Sequence, residues 1–530
     1  MVKQISILIL YFLASVSNAT IYFVDSELGD DKNLGVEGYH PWQSIQRINA
    51  QKFQAGDSVL FRRGRTWHDV LIKVSSVNLT LGAYGEGDKP KLLGSVQRND
   101  WNPVASITGV YSMNVPRPKD QKDWTNWEVQ LVMENGYIFY RREKEEVTPR
   151  SLLPGTFTYN KNKQLLYIKP IKNTIQGKVF YIGQQENIIQ IQHAEFEKLV
   201  IQDLEISLAN RYGVGPWWQG DELAQGDIVI KNNLFIGNAF SAVCLSGGMQ
   251  YDNIIIDNNI IRENGAEGIY IGKHAAKVSL TITNNQLGSE QQDSFGWRGE
   301  GPASAFNGDG IDIKYGNRKV RVASNVIKNL LGTCGICYGS GDSIIENNVI
   351  KNVGMQGDRW PAGIMADIDD DYGTSTIKSN IITGDNMYGI NVRGKAAIGP
   401  PLVIEQNWIE LGKDSEYAQI GFTAMNAANV TINNNNGTGG KHAVRILGMT
   451  PNNIKVFDNN FGHTQTPFFL SSSKLSGLTV LRNYFCTGST SFIEWINGVK
   501  ELELGVSKQY LGDLNSLNEI NCNDKLFANP

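Results

Sequence analysis

The sequence predicts an all-β fold, a right-handed parallel β-helix (β-solenoid) of roughly ten or more coils. Three observations predict it. One unit recurs: a short apolar strand, an asparagine turn, a second strand, a variable loop and a Gly-Ile-x-β segment, as in NIIIDNNIIRENGAEGIYI from Asn253 and STIKSNIITGDNMYGINV from Ser375. Asparagine falls at the same place in each copy, at Asn233, Asn259, Asn285, Asn325, Asn348, Asn380, Asn407, Asn435, Asn460 and Asn483, and seven of the nine intervals are 23 to 28 residues. The strands alternate apolar and polar positions over runs too short for helices.

Each element of the unit has a physical reason. Parallel strands must be joined by a crossover, and stacking one coil on the next at ~4.8 Å satisfies the backbone while burying columns of Ile and Val. Asparagine tolerates a left-handed backbone, and its side-chain amide can bond the equivalent amide one coil on. The two long intervals, 285 to 325 and 348 to 380, mark insertions.

The ends and interruptions divide the chain. Residues 1–19 combine Lys3, an apolar run from Ile5 to Val16 and the small-residue site Ser17-Asn18-Ala19, the pattern of a secretory signal peptide, so a secreted or periplasmic protein is expected. Residues 20–96 form the N-terminal cap and first coils, with Trp42 to Ala50 expected as an amphipathic cap helix. Residues 97–183 form an inserted β-rich segment with hairpin turns such as TYNKNKQLLYI. Coils occupy 184–485, and 486–530 form a C-terminal cap or tail.

Composition narrows the partners. Lys+Arg 49 against Asp+Glu 53 gives a net charge of −4 with no long basic run, which argues against nucleic acid. No later stretch reaches ~18 consecutive apolar residues, so no membrane span is expected, and the protein is expected to be a monomer. Five cysteines are too few to hold a chain of this length, so the core must do so. Cys334 and Cys337 form a CxxC without a second pair at zinc spacing. Cys486 and Cys522 could pin the tail.

The repeats from about Glu197 to Phe485 resemble the pectate-lyase-like superfamily of right-handed parallel β-helices. The opening segments TIYFVDSELGDD, PWQSIQRIN, AGDSVLFRRGRTW and LGAYGEGDKPKL resemble the start of many secreted bacterial β-helix proteins. The superfamily resemblance implies a polysaccharide groove on the sheet built from the Gly-Ile-x-β strands. Alternation along those strands points Ile311 and Ile313 inward, and Asp312 and Lys314 outward.

The densest cluster on that face is Asn307-Gly-Asp-Gly-Ile-Asp-Ile-Lys314. Asp309 and Asp312 supply carboxylates and Lys314 an amine. Two coils on, Asp367 should face them across a pit, with Arg393 beside it. Trp217, Trp218, Trp297, Arg298, Trp360 and Asn391 are candidate sugar-binding residues, because aromatic rings stack on the apolar faces of sugars. Asx turns and inter-coil ion pairs would account for the same charges without any chemistry.

Three functions fit. A polysaccharide lyase acting by β-elimination on a uronate would use Lys314 as base and Arg393 as neutraliser, with Asp367, Asp369 and Asp370 as oxygen ligands for calcium. An inverting glycoside hydrolase would use Asp312 and Asp367 as its paired carboxyls; here NGDGID resembles the N-T-D-G-x-D motif of polygalacturonase-type hydrolases, with Gly308 in place of threonine and Asp312 matching its acid. The paired-aspartate and Gly-His-Gly motifs of that family are missing, and Arg393-Gly-Lys395 only loosely echoes its Arg-x-Lys. A noncatalytic glycan-binding or adhesin solenoid is the third. Lys314 tips the sequence reading toward elimination, since a hydrolase has no evident need of an amine there.

Overall fold

A computed structural model describes residues 19–495, apart from 75–77, 119–126, 143–147, 193–194, 217–224, 247, 289–294, 297–307, 355–359, 368–372, 394–400, 424–427, 448–451, 471–477 and 488–492. Three parallel sheets of 14, 13 and 13 strands run along it, and each coil contributes one strand to each. In one coil Tyr251–Asp257 belongs to sheet 1, Ile260–Arg262 to sheet 2 and Ile269–Ile271 to sheet 3, before the chain re-enters sheet 1 at Ala276–Thr283. Register is strict: Ile254, Ile255 and Ile256 pair with Leu280, Thr281 and Ile282. Ile254, Ile256, Leu280 and Ile282 are fully buried while Ile255 is exposed, as period-2 alternation requires.

The corner between sheets 1 and 2 holds the asparagine ladder. Asn258 takes a left-handed backbone with φ 53, which turns the chain so that Asn259 points into the stack. The Asn259 amide donates to the Oδ1 of Asn285 at 3.0 Å and to the carbonyl of Ile230 at 2.9 Å. The rung expected at Asn460 lies at Asn459, whose Oδ1 accepts from Asn435 at 2.9 Å. Asn460 instead pairs with Asn436 as the first residue of its sheet 2 strand. The local sequence DNN offers two adjacent asparagines, and the left-handed residue, Asp458, selects the next position.

At the N-terminal end the helix spans Ile45–Ala50, shorter than the Trp42 start expected, because Trp42 forms a bridge to Val24 and Ser44 caps the helix. Trp42 is fully buried and stacks on Tyr22 at 4.5 Å, so it still seals the apolar end. Within residues 20–96, Ile21–Val24, Ser58–Arg62 and Leu79–Tyr84 are strands of sheet 1. They also run past Cys486, since Ile493–Trp495 pairs with Phe468, Phe469 and Leu470. The signal-peptide residues 1–18, and Cys522 with its expected bridge, lie outside the described residues.

Between Ser95 and Gly183 the chain leaves the solenoid and forms two sheets built mainly from antiparallel pairs. This segment has its own core around Trp101, Trp127, Phe157 and Phe180. Its Leu131, Met133, Ile138, Tyr140 and Tyr181 pack on Leu208, Tyr212, Phe240 and Cys244 of the neighbouring coils. Among the described residues no helix is long and apolar enough to cross a membrane.

Candidate active cleft

Sheet 3 carries the cleft, and its register sets the geometry. Outward positions in successive coils line up as Cys244, Tyr270, Asp312, Cys337, Met365 and Asn391. One column along, Asp367 is in register with Arg393. Ile311 and Ile313 point into the core and are essentially unexposed, so Asp312 is forced to the outer face. A cleft of about 230 Å³ opens there, lined by Asp309, Asp312, Lys314, Gly339, Asp367 and Arg393 together with Cys337 and Met365.

The carboxyls are deeply placed. Asp309 and Asp312 are only 1% and 4% exposed. The Asp309 Oδ1 accepts the backbone N–H of Cys334 at 2.9 Å. Burial, followed by the charges of Asp312 and Glu267, pushes the Asp309 carboxyl well above the usual carboxylate range. Burial also raises Asp312, but there the Lys314 ammonium at 2.7 Å works against it. Burial disfavours the Lys314 cation in turn, yet the Asp312 carboxylate outweighs it, and Lys314 is held above the ordinary lysine value. The lysine expected to lose its proton for base catalysis is thus held protonated beside Asp312.

Glu267 joins the cluster without having been singled out in the sequence. It sits one coil before Asp309, where the N–H of Gly268 donates to the Asp309 carbonyl at 2.9 Å. It is 7% exposed, takes the Ser241 hydroxyl at 3.0 Å, and is raised by burial and by Asp312. Aligning GAEGIYI with NGDGIDI would have found it, since Glu267 and Asp309 both precede the Gly-Ile step.

The other candidates separate. Asn391 is fully buried, accepts the Thr423 hydroxyl at 3.0 Å and does not line the cleft. Trp360 is half-buried and stacks on Tyr388 at 6.3 Å, beside Cys337 and Met365. Trp217, Trp218, Trp297, Arg298, Asp369 and Asp370 lie outside the described residues. Of the calcium set only Asp367 is therefore described, in register with Arg393. Asp309, Cys334 and Cys337 bring ligand atoms within 4.8 Å of one another. The two sulfurs are joined as a disulfide, which leaves neither as a thiolate ligand.

No family model matches the chain. A lacto-N-biosidase of Bifidobacterium longum subsp. longum is 22% identical over 362 residues, which cover 64% of this chain and 20% of that protein. The chain therefore spans about a fifth of the length of this curated relative. Among solved structures, XylC in complex with xylose is similar with a TM-score of 0.56 at 12% identity, covering 91% of this chain and 85% of that one. A GH136 lacto-N-biosidase from Eubacterium ramulus gives a TM-score of 0.39 at 14% identity, covering 88% of this chain and 68% of that one. At these identities the XylC likeness is one of fold.

Proposed function

We propose that the protein is an exported carbohydrate-active enzyme and that the cleft hydrolyses a glycosidic bond, with Asp309 as proton donor and Asp312 as the ionised carboxylate. One observation carries this reading: two neighbouring carboxyls sit in environments that drive their protonation apart. Asp309 is enclosed and faces other carboxyls, whereas Asp312 holds an ammonium at 2.7 Å. Both carboxyls are raised by burial, but Asp309 is driven well above the usual range while the Lys314 ammonium counteracts the rise at Asp312, and such a split between neighbouring carboxyls is what acid-assisted glycoside cleavage requires. The Asp309 proton passes to the glycosidic oxygen as the bond from that oxygen to the anomeric carbon breaks, its electron pair staying on the oxygen. Asp312 then either takes the proton of the attacking water or bonds the anomeric carbon until water displaces it. The lacto-N-biosidase and XylC similarities point toward carbohydrate as well.

Uronate elimination is the second reading, favoured by two cations, Lys314 and Arg393, lining one cleft where a carboxylate could be neutralised. Its weakness is the base, because Lys314 is paired and protonated. No step in either reading is assigned to calcium. The test is to incubate the protein with neutral and uronate-containing glycans, with calcium and with chelator, and to follow reducing ends beside the ultraviolet absorbance of unsaturated uronates. Hydrolysis predicts reducing ends without that absorbance, lost in Asp309→Asn and Asp312→Asn. Unsaturated product lost in Lys314→Ala transfers the assignment to elimination. Glycan binding without either signal leaves a noncatalytic glycan-binding solenoid.

A further inference from the structure

On an open parallel sheet the outer face would form a groove running past many coils, able to seat a long chain anywhere along its length. Here that face is interrupted on both sides of Asp312. On the N-terminal side the inserted segment covers it: Cys244 is 2% exposed, and Tyr212 and Phe240 are 8% and 3% exposed. Tyr270, the register neighbour of Asp312, packs against this same apolar cluster and stands as its edge. The Lys314 ammonium lies over the Tyr270 ring at 5.6 Å, so wall and carboxylate cluster are joined. On the C-terminal side the Arg393 guanidinium lies 3.3 Å from the Met365 sulfur, Met365 is 3% exposed, and Asn391 behind it is fully buried.

Between the two walls the space is short. Gly339 lines the floor between them, where a Cβ would come within 3.1 Å of the Asp367 carbonyl oxygen, so the backbone itself forms that floor. A volume of about 230 Å³ falls below the roughly 300 to 1,000 Å³ of pockets that hold drug-sized molecules. A space of this size suits one sugar ring. The lining offers carboxylates and cations in partnered positions, Lys314 with Asp312 and Arg393 in register with Asp367, which suits a ring recognised through its hydroxyls.

Resting on the carbohydrate reading of this cleft, we infer that it is a terminal pocket which takes a single neutral sugar unit at a chain end, so that the enzyme removes units from an end and does not cut within chains. Tyr270 and the inserted segment are the barrier that imposes this on one side, and Met365 with Arg393 closes the other.

Two measurements test it. Saturation-transfer NMR of the intact protein with a panel of neutral monosaccharides predicts direct binding of at least one, lost in Arg393→Ala while the thermal midpoint confirms a folded chain. Absence of binding by every monosaccharide at millimolar concentration overturns the inference. With an oligosaccharide ladder of any glycan that the protein hydrolyses, products should appear as single units from one end, and substrates modified on the terminal ring should resist. Mid-chain fragments as first products overturn the inference while leaving the hydrolase reading intact. If no glycan is cleaved, the hydrolase reading fails, and the monosaccharide measurement alone decides whether the pocket stands.

Discussion

The ammonium of Lys314 lies 2.7 Å from the Oδ2 of Asp312, which sits two residues back in the sheet 3 strand Ile311–Ile313 that Lys314 follows. That pairing sets the charge state of the cleft. It keeps the lysine protonated and holds down the carboxyls around it, since Lys314 lowers both Asp309 and Asp312 against the effect of their burial.

Replacing Lys314 with alanine should therefore shift a pH profile and not abolish turnover at every pH. Without the cation the carboxyls titrate higher, and the acidic limb of kcat/KM moves up by about one pH unit or more. Activity lost equally across the whole pH range would instead mark Lys314 as the base.

Asp309 gives a stability prediction. Its folded-state pKa is raised above the unfolded value by burial and by Asp312 and Glu267. Stability linked to it is therefore complete below the unfolded pKa near 3.8 and declines as pH rises toward the folded value, by about 1.4 kcal/mol per pH unit. Asp309→Asn keeps the acceptor for the Cys334 N–H and removes the titration. The thermal midpoint of the variant relative to the parent should rise from pH 4 to pH 7. A constant difference would mean Asp309 titrates normally.

His442 gives the opposite slope. Burial, with Arg445 and Lys441 adding to it, pushes its imidazole down to about 3. Stability linked to it is present above the ordinary value of 6.5 and is lost as pH falls toward about 3. The variant His442→Gln should show a shallower loss of thermal stability over that window, read by calorimetry.

The ladder gives a fourth. Asn325 accepts the backbone N–H and the amide of Asn285, each at 3.0 Å, and donates to the carbonyl of Ile282 at 3.0 Å. Asn325→Ala strands these buried groups and should lower unfolding free energy by about 3 kcal/mol. Asn483→Ala, at the last described rung, should lower it less, as denaturant titration would show.

The coils were legible in the sequence because stacking makes the same demand at the same position each time: Ile or Val inward, asparagine at the corner, glycine before the sheet 3 strand. Where two asparagines stood together the register slipped by one, at Asn459 and Asn460, because the left-handed residue is Asp458 and the ladder position is the one that follows it. Asp312 and Lys314 could be placed on the cleft face by alternation, and Asp309 at the turn before that strand. The state of Lys314 could not, because burial and Asp312 oppose each other and only the folded coil shows which prevails. The covering of Cys244 by a segment more than a hundred residues earlier was beyond any local pattern.

The most direct test of hydrolysis at Asp309 and Asp312 is the fate of water oxygen. Cleavage of a susceptible glycan in oxygen-18 water, read by mass spectrometry, should place one heavy oxygen on the newly formed sugar end, with no such product from Asp309→Asn. A product that carries no heavy oxygen, and is lighter than the hydrolytic one by one water, would contradict the account and establish elimination.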